Sequence, residues 1–251
     1  MHYTSEREHA VEIVHELIRW SVLQPGGGAV SMRLDDGNIL MSSTTLSFRW
    51  WNITTADFVV LDPHGNVVEK TGPLGASGTP MHLALYEAFP ACHGIAHAHP
   101  PYALAFASLG ETIPSVTNQL DTLGEIPCVA ADDRAIKRRV ADGFTAMPMI
   151  PGVAQSPGPY AVNMELIPQV LAHLAPRADE LDRHGLGFTI YRHGAMTIGR
   201  TLHEAANNLH RIESGAHAAL LQATLLGGLS HVRTNPLFTP DHAPEDARAS
   251  A

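Results

Sequence analysis

The sequence predicts an α/β fold of three layers, α/β/α, with helices on both sides of a mainly antiparallel central sheet. Three observations predict it. An amphipathic helical segment opens the chain, two strand pairs bounded by turn residues follow, and helical and strand patterns then alternate with no internal repeat. With 251 residues, 45% hydrophobic and 16% charged, the chain suits one compact core. We expect a single domain over residues 1–238 and a disordered tail over 239–251.

Between Ser5 and Leu23 the apolar residues Ala10, Ile13, Val14, Leu17 and Ile18 recur at helical spacing, and Ser5 with Glu8 makes a capping-box pattern. Pro25 to Gly28 stop this helix. Ala29 to Arg33, the turn Asp35 to Asn38, and Ile39 to Met41 then read as a hairpin. Phe58 to Asp62 and Val67 to Glu69 flank Pro63-His64-Gly65-Asn66 as a second antiparallel pair. Thr79 and Pro80 supply an N-cap and a first-turn proline for a helix through Phe89. Gly94 to His99 is a short strand stopped by Pro100-Pro101, and Tyr102 to Leu109 is helical. Residues 110–160 are punctuated by Pro and Gly and read as a long irregular loop. Asn163 to Ala175 is helical, with Pro168 inside it, and Phe188 to Arg192 is a strand ending at His193-Gly194. Thr201 and Glu204 form a capping box for a final helix whose buried stripe runs from Leu202 to Ala223, before Gly227-Gly228.

Composition narrows the function. Sixteen Lys and Arg against 25 Asp and Glu leave a net charge of −9, which disfavours binding to phosphate backbones, so no nucleic-acid partner is expected. Apolar stretches such as Gly215 to Leu226 fall short of the ~20 residues that cross a bilayer, and Met1 to Glu8 lacks the pattern of a secretory signal. No membrane association is expected, and a cytoplasmic location fits. Cys92 and Cys128 form no CxxC pair. Histidine, by contrast, occurs 16 times, as often as Lys and Arg together, and points to metal or acid–base chemistry.

In His97-Ala98-His99-Pro100 the two imidazoles project from one face of a strand, roughly 7 Å apart, and can converge on one ion. A catalytic zinc site takes three protein ligands and keeps an open position. His193, followed by Gly194 at the end of another strand, is the best third ligand. Taken alone, an HxH pair is equally a pair of surface or hydrogen-bonded core histidines. His82 reads as a core or supporting histidine, and Tyr86 and Tyr102 as core residues with a hydrogen-bonded tip. His210, Glu213 and His217 read as a solvated or interface face, and Asp121 and Glu125 as exposed loop charges.

The segments Met81-His82-Leu83-Ala84-Leu85-Tyr86 and Gly94 to Ala105 resemble the class II aldolase/adducin family, which includes fuculose-phosphate aldolase, ribulose-phosphate 4-epimerase and several decarboxylases. Gly28 to Arg33 is similar to its G-N-x-S-x-R, Asp57 to Asp62 to its D-x-V-x-x-D strand, and Arg192-His193-Gly194 to its N-H-G. The resemblance covers about residues 5–227. It implies a class II aldolase-like fold, one divalent ion held by His97, His99 and His193 (zinc first, manganese or iron as alternatives), and a homo-oligomer, a tetramer with sites between subunits.

Departures from the family pattern are informative. Where the sugar-phosphate enzymes read P-S-S-E, with the carboxylate as acid/base, this chain reads Ala76-Ser77-Gly78. The phosphate-binding Asn is replaced by Ala29, and the T-P-S-G turn by Ser42 to Thr45. Asn118 stands at the catalytic position of a tyrosine proton donor, and an insertion falls within about residues 130–158. An ion with an open position acts as a Lewis acid and stabilises the enolate left when a carbon–carbon bond breaks. Retro-aldol cleavage needs a base at the hydroxyl, whereas an ionised carboxylate loses CO2 without one, so the missing Glu tilts the expectation toward decarboxylation. The expected activity is a metal-dependent carbon–carbon lyase acting on a small, non-phosphorylated hydroxy- or oxo-acid. Arg192, Ser77 and Thr79 are candidate donors to it, with Ser31 and Gly78 completing the substrate-binding set. The alternatives are a mononuclear non-heme iron oxygenase and a non-catalytic adducin-like scaffold.

Overall fold

The computed structural model describes residues 2–25, 27–43, 50–71, 78–131 and 157–234. Eight strands form one sheet in the order β4-β3-β2-β1-β5-β8-β7-β6. They are β1 (Ala29–Arg33), β2 (Ile39–Ser42), β3 (Phe58–Leu61), β4 (Val67–Lys70), β5 (Gly94–Ala98), β6 (Cys128–Val129), β7 (Leu186–Ile190) and β8 (Gly194–Gly199). Every pairing is antiparallel except β6 with β7, so the expected mainly antiparallel sheet is present.

Strand periodicity divides the core into two sides. Val30, Ala96, Ala98 and Ala195 face a layer made by α1 (Thr4–Arg19), α3 (Pro101–Leu109) and the final helix, whose Ala10, Ile13, Leu17, Phe106, Leu209, Ile212 and Ala216 close over them. Ile95, Phe188, Met196 and Ile198 face the other way, onto α2 (Thr79–Ala88) and α5 (Pro157–Leu174) through Met81, Leu85, Leu166, Val170 and Leu174. The result is the expected α/β/α layering. A four-residue helix, α4 (Asn118–Asp121), and α6 (Leu202–Leu226) complete the set of described α-helices.

Several local readings need correction. The Ser5–Glu8 capping box does not form: Tyr3 is the N-cap, and Ser5 bonds the neighbouring Glu6. Helix α1 also ends at Arg19, because the N–H groups of Val22 and Leu23 turn back onto the Leu17 carbonyl and carry both side chains into the core. Thr79 is the first residue of α2, not its cap, which is Gly78. Pro168 lies inside α5 without ending it. Residues 110–131 are not structureless, since Ile113 bridges Ile126, α4 follows, and β6 pairs with β7. The strand expected at Phe188 to Arg192 ends at Ile190, and an unanticipated strand, β8, begins at Gly194. Thr201 does cap α6 by accepting the Glu204 N–H at 3.0 Å, while the Glu204 carboxylate returns to the Arg200 N–H. The tail at 239–251 and most of the insertion at 130–158 lie outside the described residues. Among the described residues, no helix is long and apolar enough to cross a membrane.

Candidate metal centre

Strands β5 and β8 build the centre. His97 pairs in register with Met196, His99 follows β5 by one residue, and His193 occupies the turn joining β7 to β8. The three imidazoles thus meet at one end of the two central strands, their ligand nitrogens all within 4.8 Å of one another. Nε2 of His97 is 3.1 Å from Nε2 of His193, with the rings stacked at 25°, while His99 stands edge-on to both. On one tetrahedral zinc, two imidazole nitrogens with bonds of ~2.0–2.1 Å lie roughly 3.3 Å apart, so the spacing fits.

The protonation chemistry fits as well. The Nδ1 of His97 lies 2.9 Å from the Ala195 carbonyl, which can only accept, so Nδ1 carries the proton and Nε2 presents its lone pair to the other rings. Burial pushes His97 and His193 below the usual histidine range and His99 down to about 4, with His193 and His99 adding to the effect at His97 and His193 adding to it at His99. Three neutral imidazoles are the form a divalent ion binds. The Nε2 of His99 is buried and has no hydrogen-bond partner. Two glycines admit this ring: a Cβ at Gly27 would collide with the His99 imidazole, and one at Gly194 would lie 2.6 Å from its Cδ2.

The family profile described as class II aldolase and adducin N-terminal domain matches residues 8–220. The chain belongs to the class II aldolase and adducin family. L-ribulose-5-phosphate 4-epimerase UlaF of Salmonella paratyphi A is 30% identical over 195 residues, covering 75% of this chain and 74% of the epimerase. In structure, the chain is similar to L-fuculose 1-phosphate aldolase, with a TM-score of 0.68, 19% identity, and 99% and 95% of the two chains covered. YgbL of Escherichia coli matches with a TM-score of 0.64 and 21% identity, over 92% of this chain and 99% of that one. At these identities the two solved structures establish the fold, which is class II aldolase-like. The His97, His99 and His193 triad is a candidate divalent-metal site of the kind typical of the family, and the chain is an enzyme of the aldolase/epimerase family.

The other expected site residues are distributed unevenly. Ser31 is buried on β1, its Oγ 2.7 Å from Nδ1 of His82 and 2.8 Å from the hydroxyl of Tyr86. Thr79 is buried and Gly78 half-buried at the start of α2. Arg192 is exposed beside His193 with φ of 56°, a left-handed conformation that costs a non-glycine residue about 1–2 kcal/mol, and its N–H bonds the Ala107 carbonyl. Asn118 is exposed at the start of α4. Ser77, like Thr44 and Thr45, lies outside the described residues.

Two carboxylates differ from expectation. Asp121 is not an exposed loop charge but buried, accepting the Ser115 hydroxyl at 2.7 Å. Glu213 is not a surface charge either. Its oxygens accept the N–H groups of Tyr102 and Ala103 at 3.0 and 2.8 Å, capping the helix that follows His99-Pro100-Pro101. Sequence reasoning missed this support because the partners lie 110 residues apart. It also missed the Ala195 carbonyl, since a backbone acceptor leaves no trace in residue identity. Beside Glu213, Tyr102 stacks on His217 with ring centroids 3.9 Å apart, and His210 packs against Trp20.

Proposed function

We propose that the chain is a divalent-metal-dependent carbon–carbon lyase acting on a small, non-phosphorylated hydroxy- or oxo-acid, by decarboxylation or retro-aldol cleavage. The carrying observation is the triad, three imidazoles converging on one point; the resemblance adds that Ala76-Ser77-Gly78 stands in place of the sugar-phosphate enzymes' P-S-S-E and its carboxylate. A divalent ion held there, zinc by preference, would act as a Lewis acid toward adjacent substrate oxygens. This chain's residues do the rest. His97 is locked by Ala195, the buried rings stay neutral, and the exposed Arg192 offers a cation for a carboxylate. With no glutamate in that run, deprotonating a hydroxyl is harder than losing CO2 from an ionised acid, which favours decarboxylation. A homo-oligomer, a tetramer, completes the proposal.

A second reading, epimerisation of a sugar phosphate, is favoured by the 30% identity to the UlaF epimerase. One experiment separates the two. Metal-loaded protein is offered hydroxy- and oxo-acids and, in parallel, L-ribulose 5-phosphate and related sugar phosphates, while CO2, aldehyde and epimer are followed. Turnover of the acids is expected. Efficient turnover of a sugar phosphate that vanishes when the phosphate is removed would overturn the lyase proposal in favour of the epimerase.

A further inference from the structure

Beside the triad lies a polar network that the proposed function does not use. Ala29 pairs with His97 and Ser31 with Ile95, so Ser31 and His97 project from the same sheet face on neighbouring strands. Ser31 Oγ bridges the Tyr86 hydroxyl, at 2.8 Å, and Nδ1 of His82, at 2.7 Å. The second ring nitrogen of His82, Nε2, is buried with no partner. Such an orphan is costly, and a native structure keeps one for a reason.

The direction of the network follows from counting donors. Tyr86 is buried and stays protonated, because burial raises its hydroxyl well above the usual range. Its O–H therefore donates to Ser31, Ser31 donates to Nδ1 of His82, and the ring's own proton must be on Nε2. The opposite direction would strand the Tyr86 proton as well as the Nε2 lone pair. His82 thus presents an N–H donor, and with its pKa lowered by burial to about 3 it does so as a neutral imidazole. A charge on it would be felt at His97.

Beside this ring edge lies Gly78. A Cβ built there would lie 3.8 Å from Cδ2 and 3.9 Å from Nε2 of His82. Gly78 has φ of −82° and ψ of −6°, a conformation open to any residue, so its backbone does not require glycine. The missing side chain leaves room for a Cβ at van der Waals distance beside the buried ring.

We propose that the Nε2–H of His82, buried and unpartnered beside Gly78, donates a hydrogen bond to an anionic oxygen of the ligand held at the His97, His99 and His193 centre. The inference rests on the lyase reading and deepens it: the ligand must present a carboxylate or enolate oxygen beyond those taken by the centre. A neutral donor aimed at developing negative charge stabilises it without the competing titration of a cation. Ser31 and Tyr86 are positioning residues, fixing the ring's tautomer through Nδ1.

The test uses glycolohydroxamate, a small mimic of an enediolate, titrated calorimetrically into metal-loaded protein. Metal content and melting temperature are recorded for every variant. His82→Asn can replace Nδ1 but not Nε2, and should bind the probe about 10- to 100-fold more weakly at full metal content. His82→Gln, whose amide N–H reaches toward the lost donor, should recover most of that. The wild-type advantage over His82→Asn should hold constant from about pH 5.5 to 8, because the ring is neutral throughout. Probe affinity within twofold of wild type in folded, metal-loaded His82→Asn would overturn the assignment and leave the lyase reading standing. Wild-type protein that holds metal yet binds no hydroxamate would overturn the lyase reading, and this inference with it. Should His82→Asn not fold, Gly78→Glu decides: its carboxylate would occupy Nε2–H and weaken the probe comparably, and unchanged affinity would count against the proposal.

Discussion

His97 illustrates how one backbone contact can set the chemistry of a side chain. Because the Ala195 carbonyl accepts a hydrogen bond from Nδ1–H, the ring has a single lone pair to offer, and β5–β8 pairing aims it at His193. Replacing His97 and His99 together by Ala should abolish tight metal binding while leaving the fold intact, as elemental analysis beside circular dichroism would report; full metal content would refute the site. Burial of neutral rings also links stability to pH. His82 and His99 have pKa values lowered from 6.5 to about 3 and about 4, so as pH falls the unfolded chain protonates first. The unfolded state then binds more protons than the native one, and stability rises with pH across that window. The contribution is complete above the unfolded value of 6.5 and is lost as pH drops toward about 4. Chelator-stripped protein should therefore melt at steadily lower temperature from about pH 7 to about pH 4.5, whereas a flat curve would contradict neutral buried imidazoles. The triad itself was legible in the sequence, because i, i+2 spacing on a strand and a His-Gly turn are local patterns. The Ser31–His82–Tyr86 network was not, since it depends on how α2 crosses β1.

At the scale of elements, α3 shows how a remote helix supports the centre. The helix begins at Pro101, two residues after His99, and its first free N–H groups are capped by the buried Glu213 of α6. Glu213→Ala should cost about 1–2 kcal/mol of stability and also weaken metal binding with all three ligands intact, with Glu213→Gln intermediate. Denaturant titration and competition with a chromogenic chelator would measure the two effects; a stability loss without any change in metal affinity would confine Glu213 to a capping role. Of the elements that sequence reasoning found, α6 was legible from its one buried face and the first hairpin from the turn residues Asp35 to Asn38, since β2 is buried throughout. Strand β8 lies between β5 and β7 with all six residues buried; those two are as fully buried, but Pro100-Pro101 and His193-Gly194 marked their ends. Buried on both sides, a strand loses its alternation and reads as an apolar connector.

At the scale of the whole molecule, the proposed oligomer has a physical correlate at the end of α6. Leu221 is 52% and Leu225 85% exposed, with Leu220, Leu226 and Leu229 more than a third exposed around them. On a monomer this cluster would stay in water, and apolar surface at this density marks contact with another chain more often than a solvated helix end. Burying two leucines at each copy of such a contact contributes roughly 3–6 kcal/mol before the cost of association, enough for a double substitution to matter. Light scattering of the wild type should therefore give a multiple of the 27.0 kDa chain mass. Leu221→Glu with Leu225→Glu places charges where the partner would pack, and should lower that mass while metal content stays at one ion per chain, because the triad comes from a single chain. A 27.0 kDa particle for the wild type would overturn the oligomer, and an unchanged mass in the double variant would move the interface away from α6.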